Sequence, residues 1–376
     1  MKKPINVVEL TRELIRIDTV NPPGNEERCA SFLAKILLDA GFEVRFHEFA
    51  SGRTNLIARM IKGKGGKSLC LSGHLDTVPL GAFFWSRDPF GGEIDKGRIY
   101  GRGASDMKSG VAAMTAAAIN ASRQRWGNGE LLLIYTAAEE TGCLGARSLV
   151  NARDMLPQAD LMIVAEPTSN YPVVGHKGAL WLSASTHGVT AHGSMPEKGV
   201  NAIYKAADAV LKLKSFDFGI RAHPVLGAPT LNVGTIAGGM NVNSVPDQTR
   251  IGIDIRSVPG LDHGELLKTL AEYLGREVDL EITSDSRWLY SDPDDSRVLD
   301  VFAIAGEVMR TQIVPRCVPY FTDGPVLASL LGDPATLILG PGETEGAHQT
   351  DEFCFVEKIE QAVVIYEEII KKWWGK

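Results

Sequence analysis

The chain has no basic excess: 39 Lys and Arg against 46 Asp and Glu leave a formal net charge of −7. With its basic residues scattered and no basic block, it offers no electrostatic footing for nucleic acid or an anionic membrane. No run approaches the roughly 18 uninterrupted apolar residues of a membrane span. Cysteine is sparse, with Cys29, Cys70, Cys143, Cys317 and Cys354 making an odd count, widely spaced and without a CxxC pair. That excludes a disulfide framework and a zinc knuckle, and points to reduced thiols in a cytoplasmic protein. The opening Met-Lys-Lys-Pro-Ile-Asn runs straight into an amphipathic pattern through Val8, Leu10, Leu14 and Ile15. An apolar core with a small-residue cleavage site does not follow, so a secretory signal is not expected. Repeats and low-complexity segments are also missing.

What is there is an ordinary soluble composition, 44% hydrophobic and 23% charged, over 376 residues. That length exceeds what one core usually holds, so two domains are expected. Periodicity predicts helices over 6–17 and 26–40, the second with Phe32, Leu33, Ile36 and Leu37 as its stripe and Gly41 as its stop. Strands are expected at 42–46 and 55–61. The Gly66-Lys67-Ser68 triplet is not a phosphate loop, because Ile61 stands where the first glycine belongs and a strand follows instead of preceding. The stretch 62–67 reads instead as a hairpin turn. Leu131–Tyr135 and Leu161–Val164 are continuous apolar runs, as in central strands covered on both faces. After Val174 the texture changes. A βαββαβ-like order, with strands near 179–186, 229–235 and 248–256 and helices near 200–214 and 263–275, predicts an inserted α+β domain over 177–286. The first domain, 1–176 and 287–376, then resumes with a helix near 297–309, a strand at 335–339 and a closing helix at 356–373.

Chemistry gathers at the ends of these runs. Ser72-Gly-His-Leu-Asp-Thr-Val-Pro79 follows a strand, and alternation would point His74 and Asp76 to one face. The pair is open to two readings, a hydrogen bond at a strand end or a metal-binding imidazole oriented by a carboxylate. Gly101-Arg-Gly-Ala-Ser-Asp106 starts like a dinucleotide fingerprint but has Asp106 in place of the third glycine. Asp106 precedes an Ala-rich helix, 108–123, and by itself would be a helix cap. Two buried-type strands end in carboxylates, one at Glu139-Glu140 and one at Glu166, and such groups repel unless a cation neutralises them. His348 lies in a late Gly-rich stretch. Two imidazoles with three or four carboxylates suit Zn²⁺, Co²⁺ or Mn²⁺ better than Mg²⁺ or Ca²⁺, and the surplus of donors favours two metals bridged by a carboxylate.

Five motifs stand in order: Ser-Gly-His-Leu-Asp-Thr-Val-Pro at 72–79, Gly-Arg-Gly-Ala-Ser-Asp-Met-Lys at 101–108, Glu-Glu-Thr-Gly at 139–142, Glu-Pro at 166–167 and Ala-His at 347–348. In these the chain resembles, over nearly its whole length, the dinuclear metallohydrolase family of aminoacylase, acetylornithine deacetylase, succinyl-diaminopimelate desuccinylase and glutamate carboxypeptidase. The resemblance implies a mixed-sheet α/β/α catalytic domain with an inserted ferredoxin-like lid and dimerisation domain. It implies two divalent ions, Zn²⁺ or Co²⁺ with Mn²⁺ also compatible, ~3.5–4 Å apart. His74 and Glu166 would hold one, Glu140 and His348 the other, with Asp106 between them and Asp76 orienting His74. Glu139 would be the general base, facing away from Glu140 if the two lie on an extended chain.

From the inserted domain, His192 in Thr-Ala-His-Gly-Ser would reach a second subunit's site and stabilise the oxyanion. Arg256 would pair with a substrate α-carboxylate, and Asn243 would touch substrate. His176 and His187 lack such a context and read as structural. The chain departs from the pattern in Asn243-Ser-Val-Pro and in Gly193 after His192, where Ser is common. The substrate implied is a small N-acyl amino acid or dipeptide, on a homodimer. Glu166-Pro-Thr-Ser, His176-Lys-Gly and Gly340-Pro-Gly…Ala-His-Gln-Thr-Asp-Glu look most like acetylornithine deacetylases. A succinyl-diaminopimelate desuccinylase is the next reading and a dipeptidase or carboxypeptidase the third. Asp323 is open between a turn residue and a contact to a cationic side chain.

Overall fold

In the computed structural model, which describes residues 4–125 and 127–375, the chain divides into two units. The opening Met-Lys-Lys lies outside the described residues. One unit runs up to Gly175 and continues in Tyr290–Val318 and from Thr322 onward; the other holds His176–Leu289 and Pro319–Phe321.

The first unit begins with α1 (Val7–Arg16), capped by the Asn6 side chain and burying Val7, Leu10, Leu14 and Ile15. Helix α2 (Glu26–Asp39) ends before Gly41, whose φ of +91° is the left-handed stop expected of glycine there. Then come β1 (Glu43–Ala50), β2 (Arg53–Lys62), β3 (Lys67–His74), the three-residue strands β4 (Glu93–Asp95) and β5 (Arg98–Tyr100), and α3 (Lys108–Ser122). β6 (Gly129–Thr136), α4 (Leu144–Ser148) and β7 (Leu161–Val164) follow, and the short strand β8 (Gly175–His176) leads into the second unit. That unit contains β9 (Gly178–His187), α5 (Ala202–Lys214), β10 (Thr230–Gly238), β11 (Gln248–Ser257), α6 (His263–Leu274) and β12 (Val278–Ser286). After β13 (Leu289–Tyr290), the chain forms α7 (Ser296–Met309), α8 (Gly324–Leu330), β14 (Ala335–Ile338), β15 (Phe353–Phe355) and α9 (Val356–Trp373).

The large sheet has the order β1-β2-β6-β3-β7-β14. Its β1–β2 and β2–β6 pairs are antiparallel, and β6, β3, β7 and β14 run parallel. β7 and β14 are buried at every position, so this part of the sheet is covered on both faces. The Ala-rich α3 comes close enough that a side chain at Gly110 would meet the Ala165 carbonyl at 2.1 Å. That close approach sets the chain just before Glu166. The stretch 62–67 is not a hairpin. β6 lies between β2 and β3, and the loop crosses its start, where Gly66 rests against the Asn128 carbonyl too closely for any Cβ. A glycine-rich turn marks the reversal, but turn chemistry does not say whether the flanking strands pair. The small sheet β15-β5-β4 is built of three-residue strands, too short for periodicity to reveal.

In the second unit the order β10-β11-β9-β12, antiparallel throughout, gives a ferredoxin-like sheet. Leu180, Leu182, Ile251, Ile253 and Ile255 from its strands pack with Ala206, Leu213, Leu266 and Leu270 from α5 and α6. Along β11 buried residues alternate with more exposed ones, the period-2 pattern of a strand covered on one face.

His176 is fully buried, with Nδ1 2.8 Å from the Lys177 carbonyl, and burial pushes its pKa from 6.5 down to about 4. The folded protein therefore binds this proton less readily than the unfolded chain. Its contribution to stability is complete above pH 6.5 and is lost as the pH falls toward 4, on the order of 3 kcal/mol. Replacing His176 with Gln should flatten the stability profile of this unit over that window by a comparable amount, as followed by urea unfolding at several pH values. Identical slopes in variant and wild type would contradict the assignment.

Candidate metal centre

Three parallel strands of the first unit end side by side, and their carboxyl ends deliver the titratable groups. His74 is the last residue of β3, Glu139 and Glu140 follow β6, and Glu166 follows β7. The Asp106 carboxylate, just before α3, divides its oxygens. Oδ1 lies 3.0 Å from His74 Nε2, and Oδ2 lies 3.3 Å from His348 Nε2. Each imidazole has a second carboxylate of its own: Glu166 Oε1 is 3.7 Å from His74 Nε2, and Glu140 Oε1 is 3.2 Å from His348 Nε2. The five residues form two half-sites sharing Asp106.

Asp106 is not the cap of α3, since Met107 occupies that position and makes no side-chain cap bond. Nor do Glu139 and Glu140 diverge by strand alternation. β6 stops at Thr136, Ala138 takes a left-handed φ of +57°, and the two glutamates open a turn. Four successive amides of that turn are each held by a side-chain oxygen. Asn55 Oδ1 accepts from Ala137 (2.9 Å), Glu26 Oε1 from Ala138 (3.2 Å), Asp76 Oδ1 from Glu139 (3.0 Å) and Asp76 Oδ2 from Glu140 (3.2 Å). The result separates the glutamates: Glu140 joins His74 and Asp106, and Glu139 joins Cys143 and Asp323.

Asp76 lies two residues past the end of β3. His74 Nδ1 is 2.9 Å from the Asp76 backbone carbonyl and 3.6 Å from its carboxylate, so the carbonyl makes the shorter contact with the ring. The carboxylate is engaged chiefly by the Glu139 and Glu140 amides and by Asn21 Nδ2 at 2.8 Å. A second buried carboxylate, Glu352, performs the same service for Asp106. Its oxygens accept from the amides of Gly103 (3.2 Å), Ser105 (2.7 Å) and Asp106 (2.9 Å) and from Arg102 Nη1 (2.6 Å). Arg102, itself buried, also donates through Nη2 to the Pro79 carbonyl at 3.1 Å and stacks over Trp85. Sequence reasoning missed Asn21, Asn55, Arg102 and Glu352 in these roles, because backbone amides held from afar leave no spacing signal.

The charges are under strain. Burial, with the Asp106 charge next in effect, pushes the Glu166 carboxyl well above its usual range, and the same two causes raise Glu140. Burial likewise pushes Glu139 well up. Burial alone would raise Asp106, but His348 and His74 together hold it far below the ordinary value. Hydrogen bonds to Asp106 and Glu140 raise His348 to about 10. Burial works against a charge on His74, yet Glu166, Asp106 and Asp76 carry it well above the usual imidazole range.

In the second unit His192 and Asn243 come together on paired loops. The Gly193 amide donates to the Asn243 carbonyl at 2.7 Å, and Val245 donates to the Ala191 carbonyl at 2.8 Å. The approach explains the glycine after His192, since a Cβ at Gly193 would stand 2.9 Å from the Asn243 backbone. His192 is exposed, with Nδ1 2.7 Å from Ser194 Oγ. Arg256 lies on β11, opposite Thr230 and Ala179, with Nε 3.1 Å from Asp254 Oδ1. His187 is exposed, with Nε2 3.4 Å from Asp279. Asp323, back in the first unit, is no surface turn residue: it is buried and accepts from Thr136 Oγ1 at 2.6 Å.

The profile of Peptidase family M20/M25/M40 matches residues 70–372. An acetylornithine deacetylase of Proteus mirabilis is 32% identical over 97% of this chain and 96% of its own length. One from Vibrio parahaemolyticus is 33% identical over 91% and 90%. Among solved structures, an aminopeptidase of Bacillus cereus superposes with a TM-score of 0.78 at 24% identity, over 97% of both chains. A dinuclear metal-binding peptidase from the M20 family of Bacillus subtilis superposes at 0.74 with 14% identity, also over 97% of both, a likeness of fold.

Truncating Glu352 to Ala would leave the buried Arg102 without its counter-charge, and losing one partner of a buried pair costs about 3–5 kcal/mol. The expected result is a clearly lower urea midpoint for the first unit, with the second unit's transition unmoved. An unchanged midpoint would show that the pair does not anchor the Asp106 loop.

Proposed function

The chain belongs to Peptidase family M20/M25/M40, and on that premise we propose that it removes the acyl group from an N-acyl amino acid, with N-acetylornithine as substrate. It is a metal-dependent hydrolase of linear amides. The observation that carries the reading is the divided Asp106 carboxylate, with one imidazole and one further carboxylate on either side. The donor set fits a pair of divalent ions. It mixes nitrogen and oxygen, as Zn²⁺, Co²⁺ or Mn²⁺ prefer, and burial together with the Asp106 charge pushes its Glu140 and Glu166 carboxyls up, a field that a cation would relieve. His74, Asp106 and Glu166 would hold one ion, and Asp106, Glu140 and His348 the other. Such a pair, when bound, makes water acidic and polarises the amide carbonyl.

The protein's own groups supply the rest. Glu139 takes a proton from the attacking water and returns it to the departing amine. Its buried carboxyl, raised by that burial, is suited to holding the proton between the two events. Asp76 holds the amides of Glu139 and Glu140 and so keeps base and ligand in fixed relation. His192 donates to the carbonyl oxygen as it gains charge, Arg256 receives the substrate α-carboxylate in a forked contact, and Asn243 adds a polar contact. We assign the metal-binding catalytic domain to 1–176 and 287–376 and the lid and dimerisation domain to 177–286. His192 serves the site of a second copy, so the working form is a homodimer. Four of the five cysteines are buried and none is joined in a disulfide, which supports a cytoplasmic enzyme. The identity of about 30% to acetylornithine deacetylases supports the substrate, and the succinylated diaminopimelate is the alternative.

A panel of N-acyl amino acids, assayed on protein reconstituted with Zn²⁺ or Co²⁺, should show acetate released from N-acetylornithine. Succinate release with N-acetylornithine untouched would move the assignment to the alternative. In the same assay Glu139→Gln should keep its metal and lose about 10²–10⁴-fold in kcat. If kcat survives, Glu139 is not the base. Mixing inactive His192→Ala with inactive Glu139→Gln should restore activity, because one site of a mixed dimer then has both residues. No recovery, or a fully active monomer in sedimentation, would contradict the shared site.

A further inference from the structure

Behind Glu139 lies a buried cluster that the proposed mechanism leaves unused. One side-chain ligand atom each from Glu139, Cys143 and Asp323 lie within 4.8 Å of one another. The Cys143 thiol reaches Glu139 Oε1 at 3.8 Å, a long contact from a weak donor. Cys143 itself is fixed by the turn. It stands in left-handed backbone at φ +59°, and its amide donates to the Glu139 carbonyl at 2.9 Å. Asp323 closes the cluster from the other side. Oδ2 accepts from Thr136 Oγ1 at the end of β6, Oδ1 makes no hydrogen bond at ordinary distance among the described residues, and the Cys143 thiol bears on the Asp323 carboxyl as well as on Glu139. A buried carboxyl oxygen left in that state needs an explanation. Asp323 does not cap α8, since its side chain makes no cap bond there.

We propose that Asp323 is a positioning residue for Glu139. Held by Thr136, it packs against the Cys143 thiol that also contacts Glu139 Oε1, and by fixing that sulfur between the two carboxyls it fixes the direction in which the base presents its other oxygen. The inference rests on the proposed role of Glu139. The physical need is plain. The Glu139 backbone is pinned by Asp76, but a glutamate side chain has three rotatable bonds, and the Cys143 thiol is a side-chain contact to its carboxylate. A thiol is a weak donor with a free rotor, so it holds a direction only if its surroundings do.

The test uses the metal-loaded enzyme and the variants Asp323→Ala, Asp323→Asn, Cys143→Ala and Cys143→Ser. Asp323→Ala should lower kcat about tenfold or more, as misplacement of a catalytic group does, with KM within twofold and metal content unchanged. Asp323→Asn keeps the shape and the acceptor for Thr136 and should recover most of the loss, and Cys143→Ser should likewise outperform Cys143→Ala. The double variant Asp323→Ala/Cys143→Ala should be no worse than the poorer single one, because both act along one path. An unchanged kcat in Asp323→Ala, a raised KM with kcat intact, or additive losses would overturn the proposal. If Asp323→Ala does not fold, the two Cys143 variants carry the same comparison. Crystal structures of Asp323→Asn and of Cys143→Ala provide a readout independent of activity. The Glu139 carboxylate should keep one orientation in the first and spread over several in the second, and a single wild-type orientation in both would end the idea. Absence of hydrolysis by the wild type would instead count against the proposed function.

Discussion

The Asp106 carboxylate cannot satisfy two imidazoles unless the chain brings both to its opposite oxygens, and most of the first unit is arranged to do so. His74 comes from a strand end and His348 from a loop more than two hundred residues later, yet they stand 3.0 and 3.3 Å from the two oxygens of one side chain. Around that shared group, Glu166 and Glu140 add negative charge to a buried pocket, which is costly unless cations or protons neutralise it. The raised imidazoles and carboxyls record that cost. A fold that accumulates such charge at the carboxyl ends of parallel strands is organised around what neutralises it.

Precision comes from a layer of buried oxygens that bind backbone rather than substrate. Asn55, Glu26 and Asp76 hold four consecutive amides after β6, and Glu352 holds three amides around Asp106. Fixing the main chain, and not only the side chains, makes the spacing among Asp106, Glu139 and Glu140 a property of the scaffold. Arg102 extends the network by joining the Asp106 loop to the Pro79 carbonyl, so the segments carrying His74 and Asp106 are coupled through one guanidinium. The same economy appears in the second unit, where Gly193 is small so that the loops bearing His192 and Asn243 can touch.

The long periodic elements were legible from residues alone. β6 and β7 announced themselves as unbroken apolar runs, α3 as an Ala-rich helix, and the ferredoxin-like unit by its order of elements. The motif residues could be found because each ends a strand or opens a glycine-rich loop. One reading failed, and two held in outcome through contacts other than the expected ones. The loop at 62–67 has turn chemistry, but which strands pair across it depends on β6, far away in sequence. Glu139 and Glu140 do separate, but through a left-handed Ala138 and side-chain clamps on the turn, not through strand alternation. His74 and Asp76 were paired through their side chains, whereas the ring's shorter contact is to the Asp76 carbonyl. Asp323 was hidden for a related cause: nothing local distinguishes a turn aspartate from one folded in behind a glutamate.

The proposed chemistry depends on Asp106 standing between two ions. Anomalous diffraction from crystals of the metal-free protein soaked in Zn²⁺ tests that directly. Two peaks should appear ~3.5–4 Å apart, one beside His74 and Glu166 and one beside Glu140 and His348, with Asp106 contacting both. A single peak, or a pair that leaves Asp106 outside its coordination, would contradict it.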